Sequence, residues 1–355
     1  MKLESIYKRT KTGAVQVCNI SVSGDTISVE FGQLDGKMRT ENTPCFPVNV
    51  GKSNETSAEQ QAVKEAKAKW AKKVKAGYSA NIEAPVTVQL PQLVKKYLDD
   101  NQDKITYPAF SVVKLNGMNG TYWLQPDNSL KLTSRGGNLY PPIPHLEAQA
   151  RADMALANTT SINTELYIHG LFLEDISSAV KKTKALSSQL TLNTFELPLV
   201  PGAYEDKVDI LRKMCGHAVI TEVFSAEEAD ALHAEAVADG YEGTVLFNKH
   251  AVYAFNERSC DVYKYKIPID AEFKVVGYKL DKHKHAVYTC ESTGGEFGVK
   301  RVGTKEDRLA DAAIADSRIG KWLNVEFEMY SKKGIPLKPV GQYFRLCDKD
   351  GKPLE

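Results

Sequence analysis

What this chain has little of narrows its reading before any motif is considered. Among 355 residues there are only three tryptophans and six cysteines. The cysteines, at positions 18, 45, 215, 260, 290 and 347, are scattered and form no C-x-x-C pair. That spacing argues against zinc ligands or a disulfide framework, and reduced thiols are expected. No apolar run approaches the roughly 18–20 residues of a membrane span, so no membrane partner is expected. The opening stretch, MKLESIYKRTKTG, lacks a hydrophobic signal region, which predicts a cytoplasmic protein. Net charge is only +1, so no global field points to nucleic acid.

The remaining composition is that of a folded protein. The chain is 42% hydrophobic and 26% charged, enough for a well-filled core and too apolar for long disorder. Its length suggests two or three domains. Charge is unevenly spread. Residues 51–78 hold seven lysines against three glutamates, whereas 203–242 hold ten acids against three bases. From 260 to 305 basic residues are again in excess. A protein that meets phosphate on selected faces has this pattern, and so does one with solvated helices. There is no internal repeat.

Three segments follow one another. In residues 1–82, Ala14–Ile20 and Thr26–Phe31 alternate as strands around the turn Ser23-Gly24-Asp25. Thr56-Ser57-Ala58-Glu59 reads as a capping box opening a helix. Ala62, Ala66, Trp70 and Val74 form its apolar stripe, and Gly77 ends it. Residues 83–100 read as a linker stiffened by Pro85 and Pro91, followed by a short helix. Strands and helices mix from there to 270. Two helices are clear, one from Tyr204 to Cys215 that stops at Gly216 and one capped at Ser225 and ended at Gly240. Residues 271–355 read as short strands with a helical insert near 305–317, which suits a small Greek-key barrel of the OB type.

The central segment carries chemistry-bearing residues at strand ends. "VVKLNGMNGTYW" places Lys114 between a β-branched run and a glycine turn. "TSRGGN" holds Arg135, "TELYIHG" holds Glu165, and "LTLNTFEL" ends in a strand bearing Phe195. "YEGTVLF" puts Glu242 before a glycine, and "DVYKYK" spaces Lys264 and Lys266 onto one strand face. Each has an ordinary alternative. A K-x-x-G is often a hairpin with a surface lysine, a strand phenylalanine is usually core, and K-x-K is usually a solvated face. The order and spacing of the whole series carry more than any one member.

That series resembles the covalent nucleotidyltransferases, most closely ATP-dependent DNA ligases of phage type. Lys114-Leu115-Asn116-Gly117 is similar to the family's K-x-D-G motif. Ser134-Arg135-Gly136, Glu165, Phe195, Glu242-Gly243 and Lys264-Tyr265-Lys266 match the motifs that follow it, and "GIPLKPVGQYFRLCDK" resembles the family's C-terminal close. The first segment resembles the WGR-type domain through Phe31-Gly32-Gln33 and "GKSNETSAEQQAVKEAKAKWAKKVKAGY". The sequence departs from the ligase pattern at Asn116 for aspartate, Asn119 for arginine, Asn163-Thr164 for Asp-Gly, and Leu337-Lys338 for Arg-Phe.

The resemblance implies an α+β multidomain protein. Residues 1–82 would be a WGR-like DNA-binding module, 83–270 an ATP-grasp-like nucleotidyltransferase (adenylation) domain, and 271–355 an OB-fold barrel. It implies that Lys114 is adenylated by ATP, with Lys264 and Lys266 supplying positive charge beside it and contacting the nucleotide. Phe195 would stack on adenine, while Arg135 and Glu165 orient the ribose. Glu242 and Glu165 would hold Mg²⁺, and Arg135, Lys338 and Arg345 would meet DNA. Lys338 or Lys349 would join the first step when the barrel swings in. The partner implied is nicked double-stranded DNA, sealed by a monomer, in the host-cell cytosol if the chain is phage-encoded. RNA ligases and capping-type guanylyltransferases share the K-x-x-G core and remain alternatives, as does a DNA-binding relative with a weakened catalytic centre.

Overall fold

In the computed structural model, which describes residues 1–10, 12–82, 89–98, 101–216 and 218–354, the alternating residues of the first segment form an antiparallel meander. Its strands are β1 (Ile6–Arg9), β2 (Val15–Ser23), β3 (Thr26–Gln33) and β4 (Met38–Pro44), in that spatial order. Gly24 turns β2 into β3 at φ +55°, a conformation that costs glycine little. Helix α1 (Ala58–Lys75) lies on this sheet. It buries Ala62 and Ala66 and packs Trp70 and Val74 beside them.

The capping box sits one residue later than Thr56-x-x-Glu59. The Ser57 hydroxyl accepts from the Gln60 N–H at 3.2 Å, and the Gln60 side chain accepts from the Ser57 N–H at 3.0 Å. Thr56 is held extended by two backbone bonds to Val48, both 3.0 Å, and so stands outside the helix. The short stretches Thr133–Leu139 and Ala254–Glu257 group with this N-terminal unit.

The second unit contains the rest of the chain. In chain order the elements after α1 are β5 (Leu93–Lys96), β6 (Ala109–Lys114), β7 (Met118–Leu124), β8 (Leu130–Ser134), α2 (Pro144–Leu156) and β9 (Ser161–Tyr167), of which Leu93 and Thr133-Ser134 fall in the first unit. Then come α3 (Leu173–Lys181), β10 (Thr191–Glu196), α4 (Tyr204–Leu211), β11 (Ile220–Val223), α5 (Ala226–Ala238), β12 (Gly243–Asn248) and β13 (Arg258–Tyr265). The strands form two sheets, ordered β10-β9-β7-β8 and β11-β6-β12-β13-β5. Phe110 and Val112 from β6 share one core with Tyr122 of β7 and with Ile162 and Leu166 of β9. Both sheets therefore face a common interior.

Two sequence expectations change here. The short helix expected before residue 100 is instead the edge strand β5, while Pro85 lies outside the described residues. Four residues are too few to nucleate a helix, and the Tyr97 N–H finds the Lys264 carbonyl at 2.9 Å. The helix expected from Tyr204 to Cys215 ends at Leu211.

The C-terminal strands are β14 (Ile269–Leu280), β15 (Ala286–Ser292), β16 (Gly295–Arg301), β17 (Trp322–Phe327), β18 (Met329–Tyr330), β19 (Pro336–Leu337) and β20 (Val340–Arg345). Five of them close into a barrel ordered β14-β15-β16-β20-β17, with β16 and β20 parallel. Helix α6 (Lys305–Ala313) is inserted between β16 and β17. This is the OB arrangement. Its interior is filled by Phe273, Val275, Tyr288, Val299, Leu323, Val325 and Phe327. The pair β18–β19 forms a small hairpin outside the barrel.

A lysine and carboxylate cluster as the candidate active site

The stretch Lys114-Leu115-Asn116-Gly117 is not a hairpin. It is the crossing point at which the chain leaves the sheet containing β6 and enters the sheet containing β7. Lys114 ends β6 opposite Gly243, the first residue of β12. The Glu242 N–H donates to the Lys114 carbonyl at 3.0 Å, which fixes the two chain ends side by side. Glycine is required on both sides of this junction. A Cβ at Gly117 would fall 2.5 Å from the Leu166 carbonyl oxygen and 2.9 Å from Cγ of Glu165. One at Gly243, where φ is +140°, would fall 2.4 Å from the Tyr265 carbonyl oxygen and 2.7 Å from the His233 ring.

The charged side chains converge on that junction. The carboxylate of Glu242 pairs through Oε2 with Nζ of Lys114 and through Oε1 with Nζ of Lys266 at 2.9 Å. Lys266 also reaches Glu328 at 3.3 Å, and Glu328 takes Lys338 at 2.7 Å. Lys264 lies in register with Val245 and Val112, two residues from the row of Lys114 and Gly243, so its side chain shares their sheet face. Burial pushes the Glu242 carboxyl up, but Lys114 and Lys266 outweigh it and hold the group below the ordinary carboxylate range. Lys264 is lowered, first by burial and then by the neighbouring charges of Lys266 and Lys114. The cluster is thus charged, half-enclosed and short of anions for its lysines.

Aromatic and polar groups line the other sheet. Between Thr194 and Glu196 the register of β10 against β9 shifts, and the extra residue is Phe195. A bulge of this kind re-aims a side chain. Phe195 stays half-buried, and its carbonyl accepts from the Tyr204 hydroxyl at 3.2 Å. The bulge is anchored by Glu196, whose buried carboxylate meets buried Lys207 at 2.9 Å. Removing one partner of such a pair costs about 3–5 kcal/mol, so the anchor is firm. Glu165 lies on β9 opposite Asn119 and Asn193, against Gly117.

Two departures from the ligase pattern prove to be partners. Asn119 donates through Nδ2 to Oδ1 of Asn163 at 3.0 Å, and both are buried. A neutral amide pair stands where the family pattern has an arginine and an aspartate.

The remaining candidates lie elsewhere. Arg135 is exposed in the turn closed by Ser134 and Asn138 and belongs to the N-terminal unit, not to the one holding Lys114. Arg345 is held on the barrel by Glu272 at 2.8 Å. Lys349 is exposed near the C-terminus. Sequence reading missed Glu328 and Lys207. The alternation in Val325-Glu326-Phe327-Glu328 marks Glu328 as outward-facing, but nothing local says which lysines it meets.

Among the described residues no group of three or more histidine, cysteine, aspartate or glutamate side chains converges as a resident metal cage would. The donor chemistry at Glu242 nonetheless suits Mg²⁺. Mg²⁺ commonly takes only one or two carboxylates and completes its octahedron with water and substrate phosphate.

Comparison with known proteins follows the same line. No family model matches the chain. The DNA ligase of African swine fever virus (Warthog/Namibia isolate) is 26% identical over 335 residues, spanning 84% of this chain and 78% of the viral protein. That of the Tick/Malawi isolate is 26% identical over 359 residues, spanning 90% and 83%. Among solved structures, a Lig E DNA ligase superposes with TM-score 0.58 at 21% identity, covering 73% of this chain and 100% of that one. A structure described as Pmar-Lig_Pre superposes with TM-score 0.63 at 14% identity, covering 82% of this chain and 72% of its own. The chain thus shares the fold of solved DNA ligases, and the relatives matched in sequence are named DNA ligases.

Proposed function

We propose that this protein is an ATP-dependent DNA ligase that seals nicks in duplex DNA through a lysyl-AMP intermediate on Lys114. The observation that carries this reading is the convergence of Lys114, Glu242 and Lys266 at a glycine-flanked sheet junction. An isolated surface lysine would have neither the paired carboxylate nor the two close-approach glycines.

The chemistry follows from those groups. Nζ of Lys114, as the free amine, attacks the α-phosphorus of ATP. A P–N bond forms, the bond to the bridging oxygen breaks, and pyrophosphate leaves. A 5′-phosphate oxygen at the nick then attacks the same phosphorus, and Lys114 leaves as the amine and takes up a proton. Finally the 3′-hydroxyl attacks the 5′-phosphate and AMP departs. All three are in-line displacements, governed by positioning and by neutralising charge on phosphate oxygens. Lys264 and Lys266 supply fixed positive charge on the sheet face of Lys114. Phe195, aimed by its bulge, stacks on adenine. Glu165 serves the ribose, and Arg345 serves DNA. Glu242 and Glu165 would hold Mg²⁺, which would supply Lewis-acid neutralisation of the phosphates.

The N-terminal meander and helix act as a WGR-like module that adds grip on DNA without chemistry. One chain supplies every residue named, so a monomer suffices. The test is a competition of substrates. ATP with a nicked DNA duplex should give sealed strand, while GTP, or a nicked RNA duplex with ATP, should give at least about tenfold less. Preferential sealing of RNA would move the assignment to an RNA ligase. Stable DNA binding with no sealing would move it to a catalytically weakened relative.

A further inference from the structure

The barrel contributes an acid to a place that needs anions. Glu328 follows β17 directly, and its carboxylate bridges two lysines, Lys266 at 3.3 Å and Lys338 at 2.7 Å. Lys338 is three-quarters exposed, and among the described residues its ammonium pairs only with Glu328. Neighbouring contacts hold the segment in place. Asn116 Nδ2 meets Met329 Sδ at 3.3 Å, and Lys332 meets Asp175 at 3.0 Å. Two ammonium groups around one carboxylate form an anion site already filled by an internal anion. Lys266 also pairs with Glu242 at 2.9 Å, so a polyphosphate entering the cluster meets Glu328 as a like charge.

We propose that Glu328 is a positioning residue that gathers Lys266 and Lys338 into one anion site and sets the affinity of that site by competing with the polyphosphate it admits. The inference rests on the ligase reading for the identity of that polyphosphate, the pyrophosphate end of ATP. Its physical basis is independent, because any small polyanion would feel the competition. Burial raises the Glu328 carboxyl, but Lys338 and Lys266 outweigh it and keep it ionised at neutral pH. The two roles separate by substitution. Glu328→Gln keeps an oxygen acceptor for both lysines and removes the charge. Glu328→Ala removes charge and tether together.

The experiment is calorimetric titration of the full chain with inorganic pyrophosphate at fixed ionic strength, without metal. Two partly exposed ion pairs compete with pyrophosphate for these lysines, so Glu328→Gln should bind pyrophosphate roughly two- to thirtyfold more tightly than wild type. Glu328→Ala should gain less than Glu328→Gln, because Lys338 is released. In Lys114 adenylation the gain should fall on the KM for ATP rather than on kcat, a split that a purely structural role would not give. Unchanged or weaker pyrophosphate binding by a folded Glu328→Gln protein overturns the proposal. If that happens while wild type still forms lysyl-AMP, the ligase reading stands alone. If binding tightens while neither protein forms lysyl-AMP, the competition stands and the ligase reading fails.

Discussion

Two groups of lysines in this chain live in opposite surroundings. Lys114, Lys264, Lys266 and Lys338 gather at a sheet junction, and three of them take carboxylate partners from Glu242 and Glu328. Lys64, Lys67 and Lys72 stand exposed on α1, opposite the stripe of Ala62, Ala66 and Trp70 that faces the meander. Among the described residues none of these three has a carboxylate partner. The first group has fixed positions, bought with two acids and two obligatory glycines. The second has only a field, screened beyond about 8 Å at physiological ionic strength. The lesson is that lysine count does not separate chemistry from electrostatic attraction, whereas the company each lysine keeps does.

The sharpest way to break this contrast is to remove the acid that organises the first group. Glu242→Ala leaves Lys114 and Lys266 without their shared partner and takes away the carboxylate assigned to Mg²⁺. Sealing of nicked duplex should fall by about 10²–10³-fold, the scale of losing one preorganised electrostatic contact at a reacting phosphate. Circular dichroism should show a folded protein. Near-normal sealing at limiting Mg²⁺ would remove Glu242 from the machinery and reduce the cluster to a structural ion-pair network.

A smaller effect should come from the second group. Replacing Lys64, Lys67 and Lys72 together with glutamine should leave adenylation of Lys114 unchanged, because α1 supplies nothing to the phosphate chemistry. The KM for nicked duplex should rise a few-fold at low salt. The salt dependence of binding should flatten by up to about three units of log–log slope, one for each lost phosphate contact. An unaltered salt slope would mean that α1 carries an ordinary solvated face and that the N-terminal module grips DNA elsewhere or not at all.

How much of this was legible in the sequence depends on the range of the signal. Lys114 and Glu242 drew attention because a glycine follows each within three residues, and the structure shows why those glycines are needed, since any Cβ at Gly117 or Gly243 would collide with backbone. The barrel was visible because alternation and turn residues act locally, and its helical insert appears as α6 at Lys305–Ala313. Local signals also misled. Thr56 and Ser57 are equally good caps on paper, and only the bridge of Thr56 to Val48 decides between them. Residues 93–96 have no strong preference, and sheet pairing settled them as an edge strand. Long-range partners were out of reach. Nothing near Glu328 names Lys266 or Lys338, and nothing in sequence joins Asn119 to Asn163. The last pair is the more instructive. Two departures that look separate in the sequence are hydrogen-bonded partners, visible only once β7 and β9 lie side by side.

The central claim is that Lys114 is the nucleophile. Incubating the full chain with ATP and Mg²⁺ in the absence of DNA, then mapping peptides by mass spectrometry, tests it directly. The account predicts AMP on Lys114 alone, lost on addition of nicked duplex as sealed strand appears, and absent from the Lys114→Ala protein. AMP on Lys264, Lys266 or any other lysine, or sealing by Lys114→Ala, would contradict it.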